Sequence, residues 1–225
     1  MSDYVKPDWG HAVLLTIDVQ QDFALSGAPS EIPGTMAVVP QMQQLVETFR
    51  QAHKPIIHVV RLYLPDGSNV DLCRRQAVEQ RKSIVLVGSP GAELLEVLKP
   101  TAAIALDPSC LLAGNLQVIG PQEWILYKPR WGAFYQTMLD QHLRELAITT
   151  LLICGCNFPN CPRATIYEAS ERDFRVVFIA DATSGTYERG LQELHNIGVS
   201  VITTEECLRA IGPSKREACQ IVPPS

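Results

Sequence analysis

The sequence predicts an α/β protein whose mainly parallel sheet is covered by helices on both faces. Three observations lead there. Short apolar, β-branched runs alternate along the chain with segments whose apolar residues recur at helical spacing, the pattern of strand–helix–strand crossovers. The length of 225 residues suits one α/β domain, and 1–225 reads as a single unit. At 46% hydrophobic and 19% charged residues, the chain holds enough apolar material for a sizeable core.

The elements follow in order. His11–Ile17 (HAVLLTI) is an apolar run closed by Asp18, the first strand. Val38–Ala52 carries Val39, Met42, Leu45, Val46 and Phe49 on one helical face. Pro55–Val60 (PIIHVV) is the second strand. The stretch from Tyr63 to Gly120 is the least regular, with turn-forming segments at Pro65–Asn69 and Val87–Gly91. Within it, Gly91–Leu98 reads as a helix stopped by Pro100. Residues 63–120 are expected to form a loop-rich insertion or lid, or an ordinary surface excursion. Glu123–Tyr127 (EWILY) is a strand leading into Lys128, and Ala133–Glu145 a helix. Thr149–Cys154 is a strand followed by a tight turn and a helix over Pro162–Asp173. Arg175–Ala180 (strand), Tyr187–Asn196 (helix), Val199–Thr203 (strand) and Glu205–Ile211 (helix) complete the pattern, and the tail QIVPPS reads as loose.

Composition excludes several classes of function. The formal net charge is -5 and no basic run stands out, so no nucleic-acid partner is expected. No apolar stretch approaches the roughly 18 residues of a membrane span, and the acidic N-terminal segment does not resemble a secretion signal. Seven cysteines, an odd number, favour free thiols in a reducing cytoplasm over a disulfide framework. No cysteine or histidine cluster has the spacing of a zinc site.

Active sites of open parallel sheets lie at the carboxyl ends of the strands. Three reactive residues fall there. Asp18 ends the first strand, Lys128 follows EWILY, and Cys161 sits where the turn after LLICGC becomes a helix. A cysteine at a helix start sees unpaired N–H groups and the positive end of the dipole, both favouring thiolate. A carboxylate can take the thiol proton and later protonate a leaving group. A lysine can orient that carboxylate, and backbone N–H groups of the turn can form an oxyanion hole. Each residue alone has an ordinary reading: Asp18 as a turn former, Lys128 as a solvated charge, Cys161 as a small buried hydrophobe. The argument rests on the three together.

These residues stand in blocks that resemble the isochorismatase-like cysteine hydrolases, the group of nicotinamidases, N-carbamoylsarcosine amidase and related amidases. LLTIDVQQDF (Leu14–Phe23), YKPRWGAF (Tyr127–Phe134) and the segment from Ile153 to Gly185 match in the family's order. The resemblance implies a three-layer α/β/α fold with a six-stranded, mainly parallel, Rossmann-like sheet. It implies a catalytic triad of Asp18, Lys128 and Cys161 and a cis peptide between Cys156 and Asn157. It further implies an oxyanion hole from the backbone N–H groups of Asn157 and Cys161, and a homo-oligomer, dimer or tetramer. The chain departs from the family pattern at Phe158, Pro159 and Pro162. Proline in the first helical turn is benign, because that N–H has no intrahelical partner. Some relatives bind a metal through an Asp and two His after the second strand. Here His58–Arg75 offers His58 inside the strand and no histidine beyond it, so no metal and no cofactor are expected.

Arg61, Tyr63, Phe23, Trp131, Phe134 and Phe158 are candidates for the walls of a pocket for a small organic molecule. Arg61, Arg74 and Arg75 could bind a carboxylate or ureido oxygen, a surface-charge reading being favoured for Arg74 and Arg75. The leading expectation is hydrolysis of the C–N bond of a small amide, carbamoyl compound or lactam through a thioester acyl-enzyme. The alternatives are vinyl-ether hydrolysis of the isochorismatase type, against which the retained Cys161 argues, and a non-catalytic binding protein on the same fold.

Overall fold

The central sheet is built from β1 (Ala12–Ile17), β2 (Ile56–Val60), β3 (Gln117–Gly120), β4 (Glu123–Tyr127), β5 (Thr150–Gly155), β6 (Arg175–Thr183) and β7 (Ser200–Ile202). Their order is β3-β4-β2-β1-β5-β6-β7 in this computed structural model, which describes residues 3–80 and 82–211. All neighbours pair in parallel except β3, which lies antiparallel to β4 at one edge. Every residue of β1, β2 and β5 is buried, which explains why their sequences are apolar runs with few polar breaks.

Strand periodicity sorts the core into two layers. Val13, Leu15 and Ile17 of β1, with Leu151 and Ile153 of β5, face one side. There they meet α5 (Leu139–Glu145), α6 (Cys161–Ser170) and α7 (Glu188–Asn196) through Leu143, Ile166 and Leu194. Ala12, Leu14, Leu152 and Cys154 face the other side, against α2 (Thr35–Gln51) and α8 (Thr204–Ile211). The buried stripe of α2 is the one its spacing predicts: Val39, Met42, Leu45, Val46 and Phe49. The α2 helix begins three residues earlier than expected, at Thr35, because Gly34 turns the chain into it at φ 83° and Pro40 is carried on the exposed side.

Four expectations need correction. The sheet has seven strands, the extra one being β3, four residues long with no buried position and a bulged pairing. Gly91–Leu98 is not one helix but two 3₁₀ turns, Pro90–Ala92 and Glu96–Leu98, because Leu94 between them bridges Gln20 in extended conformation. Ala133–Glu145 is helical only from Leu139. Upstream of it, the Ala133 and Phe134 N–H groups donate to Thr165 and Glu168 of α6, and Gln136 takes φ 51°. The helix that opens at Cys161 ends at Ser170 rather than Asp173. The QIVPPS tail lies outside the described residues. Among the described residues no helix is long and apolar enough to cross a membrane.

The 63–120 stretch contributes a third apolar cluster. Tyr63, Val70, Ile84, Val85, Leu94 and Leu111 pack on Val60, Ile125 and Phe23 beside the carboxyl ends of β2 and β4. Two helices punctuate it, α3 (Leu72–Glu79) and α4 (Pro108–Leu112), with α1 (Gln21–Ala24) directly after β1.

Candidate active site

Parallel pairing in the order β4-β2-β1-β5 brings four chain exits to one edge of the sheet. Lys128 leaves β4, Arg61 leaves β2, Asp18 leaves β1, and the turn after β5 delivers Cys161 as the first residue of α6. Asp18 takes φ 53°, which turns its side chain out of the strand while its N–H still donates to the Val59 carbonyl. Gly155 makes the neighbouring exit possible. Its φ is 126°, and a Cβ there would stand 2.3 Å from the Ile17 carbonyl oxygen.

Lys128 Nζ lies 2.9 Å from Asp18 Oδ2 and also donates to the Arg130 carbonyl at 3.2 Å. Asp18 Oδ1 is buried and has no hydrogen-bond partner among the described residues. Cys161 is 3% exposed, and Arg61 Nη2 donates to its Sγ at 3.7 Å. The Cys156–Asn157 peptide is cis. In the turn that follows, the Phe158 N–H donates to Ser184 and the Asn160 N–H to Asn157, while those of Asn157 and Cys161 have no partner among the described residues.

Burial pushes the Asp18 carboxyl up, but the charges of Lys128 and Arg61 outweigh it and hold the group below the usual carboxylate range. For Cys161, burial and the Asp18 charge raise the thiol, and Lys128 and Arg61 only partly oppose them. The pull of the helix start toward thiolate is therefore opposed at this position. The helix start is outweighed by a neighbouring carboxylate and by the loss of water.

The pocket candidates divide. Phe23, Arg61, Tyr63 and Trp131 come together: the Arg61 guanidinium lies 5.9 Å from the Tyr63 ring centre and 5.7 Å from that of Trp131. Phe134 and Phe158 do not join them. Phe134 packs on Phe174, and Phe158 sits between Phe178 and Tyr187 at 5.0 and 5.3 Å, both inside the core on the α6 face. Asp71, not among the pocket candidates, and Arg74, for which a surface charge was the favoured expectation, are present instead. Asp71 accepts from Arg61 Nη1 and from the Tyr63 hydroxyl, and Arg74 lies over Phe23 and Trp131 at 5.2 and 5.5 Å. Their spacing, three apart around the start of a helix, was the available signal. Gln20 locks the floor, accepting from the Arg61 N–H and donating to the Arg61 and Ala92 carbonyls. His58 is a satisfied strand histidine, held between Thr16 and Glu123.

Comparison with known proteins bears on this site. The family model of the isochorismatase domain matches residues 12–206. The chain belongs to the isochorismatase family. An Arabidopsis thaliana member described as a probable inactive nicotinamidase is 31% identical, over 88% of this chain and 95% of its own. The maleamate amidohydrolase of Pseudomonas putida is 24% identical, over 90% and 91%. Among solved structures, an isochorismatase-family protein of Desulfovibrio vulgaris superposes with a TM-score of 0.77 at 28% identity, covering 90% of this chain and 99% of that one. The isochorismatase match spans every strand of the sheet and all three residues at its reactive edge.

Proposed function

We propose that this protein is a cysteine amidohydrolase that cleaves the C–N bond of a small amide, carbamoyl compound or lactam. The observation that carries the reading is the meeting at one sheet edge of a buried thiol, a lysine-paired carboxylate with one oxygen unpartnered among the described residues, and two N–H groups likewise without partners there. Asp18 Oδ1 takes the Cys161 proton as Sγ attacks the carbonyl carbon. The carbonyl oxygen gains the negative charge, and the Asn157 and Cys161 N–H groups receive it. Asp18 returns the proton to the leaving nitrogen, the C–N bond breaks, and ammonia or an amine departs from a thioester. Water then adds to the thioester with its proton passing to Asp18. The intermediate collapses to the acid, and the released thiolate recovers that proton. Lys128 keeps Asp18 aimed, while Arg61, in contact with sulfur, balances the transient thiolate.

Amide cleavage by the Pseudomonas relative supports this reading. The Arabidopsis relative, described as probably inactive, favours a second one, a binding protein on the same fold. The deciding experiment measures ammonia or amine release from a panel of amides, ureides and lactams by the native protein and Cys161→Ala. Turnover that vanishes in the variant supports the amidohydrolase. Turnover that survives removes Cys161 as nucleophile, and binding without turnover favours the second reading.

A further inference from the structure

Arg61 lies between two carboxylates and bonds to only one of them. Its side chain is fully buried, and among the charges around it that of Asp18 acts on it most strongly. Yet none of its hydrogen bonds among the described residues goes to Asp18. Nη1 donates to Asp71 and, at 3.4 Å, to the Tyr63 hydroxyl. Nη2 donates to the Arg130 carbonyl at 2.9 Å and to the Cys161 sulfur at 3.7 Å. Asp18 Oδ1 is thereby left open, and this is the oxygen that takes the thiol proton in the reaction above. With so little water present, a guanidinium beside a free carboxylate oxygen is drawn onto it, because charge-assisted bonds strengthen in low dielectric. Something must hold Arg61 back.

Asp71 is placed to do so. It is 3% exposed and stands at the N-cap of α3, where a carboxylate ordinarily accepts from the helix's first N–H groups. Asp71 makes no such bond. It turns inward, and its Oδ2 accepts from Arg61 Nη1 and, at 2.5 Å, from the Tyr63 hydroxyl. Arg74, on the same helix, donates to that hydroxyl at 3.2 Å and so fixes it in turn. We propose that Asp71 is a positioning residue: by engaging Arg61 it keeps the guanidinium off the free oxygen of Asp18, which stays open to the Cys161 proton. The inference rests on the amidohydrolase reading for the use of that oxygen, and on this geometry alone for the place of Arg61.

The charged and titratable groups facing Asp18 are Lys128 after β4, Arg61 after β2, Cys156 after β5, Cys161 of α6 and Arg74 of α3. Arg61 is faced in addition by Asp71, Tyr63 and Tyr127. Of these, Asp71 is the anion that competes with Asp18 for the guanidinium. Removing its charge hands Arg61 to Asp18, and an added cationic bond favours the carboxylate form.

The test compares native protein, Asp71→Asn, Asp71→Ser and Asp71→Glu. Asn and Ser are both good N-cap residues, so α3 keeps its start in two independent neutral variants. Crystal structures of the neutral variants should show an Arg61 nitrogen within about 3.2 Å of Asp18 Oδ1. With the best amide of the panel above, their kcat should fall about tenfold or more, since the proton acceptor is occupied, with KM little changed. The acid limb of kcat/KM should move about one pH unit lower. Asp71→Glu keeps the charge and should recover most of kcat and the native limb. In an Arg61→Met background no guanidinium is left to swing, so Asp71→Asn should cost little more. An Arg61 that stays in its native place in the neutral variants would overturn the inference. So would a loss of kcat with an unmoved acid limb, the mark of a merely structural role, or an equal loss in the Arg61→Met background. Native protein that turns over no amide would remove the amidohydrolase reading instead, and the position of Arg61 in the crystals would still decide for or against its restraint by Asp71.

Discussion

At the scale of single residues, the site turns on a thiol and a carboxylate that oppose each other's charge. Asp18 raises Cys161, so Asp18→Asn should have two effects of opposite sign. With Lys128 and Arg61 left facing the sulfur, thiolate absorbance and alkylation by iodoacetamide should rise at neutral pH. Hydrolysis should fall by about a hundredfold or more, because the proton acceptor is gone. Parallel changes in reactivity and turnover would contradict the assignment. Lys128→Met should leave Asp18 buried beside Arg61 alone, which lifts its proton affinity. The acid limb of kcat/KM should shift to higher pH, and denaturant unfolding should show a loss of about 3–5 kcal/mol. Asp18, Lys128 and Cys161 were legible in the sequence because each follows a recognisable buried strand or opens a helix. Arg74 and Asp71 were not, since their role depends on how an irregular segment folds back over β2, which no local pattern encodes. Phe134 and Phe158 misled for a related reason: proximity in sequence to Lys128 and Cys161 does not say which face of the sheet a ring chooses.

At the scale of elements, the reactive edge depends on how closely β1 and β5 approach. Gly155→Ala sets a methyl against the Ile17 backbone in a conformation that L side chains avoid. Urea unfolding should report a loss of roughly 3 kcal/mol, and any folded remainder should show weakened catalysis because the Cys161 turn is displaced. Gly155→Ala with native stability would contradict the close approach of β1 and β5. The strands β1, β2 and β5 were readable because burial on both faces demands continuous apolar runs. The edge strand β3 was not, being short, half exposed and held mainly by its pairing with β4. The segment 133–138 fails as a helix at Gln136, whose φ of 51° breaks it, while α6 side chains anchor the Ala133 and Phe134 N–H groups ahead of it.

At the scale of the whole molecule, the sheet carries a buried carboxylate at each end. Opposite the reactive edge, Glu123 at the start of β4 accepts from Arg50 of α2 at 2.8 and 2.6 Å and from His58 at 2.7 Å, joining a helical layer to the sheet. Burial pushes Glu123 up, and the bonds from Arg50 and His58 more than reverse it, so its carboxyl, like that of Asp18, sits below the usual range. Groups held low in the folded state give stability that is full above their unfolded values, about 4, and is lost as pH falls through the folded ones. Acid unfolding should therefore begin below about pH 4, and Glu123→Gln should flatten that limb while lowering stability at neutral pH. The distribution of burial also has a kinetic side. Cys161, Asp18, Lys128 and Arg61 are almost wholly shut from water, whereas α3, the helix that carries Arg74 across them, buries none of its own residues. A helix with no fully buried residue thus borders a set of side chains that are almost wholly buried. On the amidohydrolase reading, opening of α3 rather than bond breaking is expected to set the tempo of turnover. Steady-state kcat should slow in viscous sucrose solutions, the acylation burst should not, and the amides of α3 should exchange with deuterium long before those of β1.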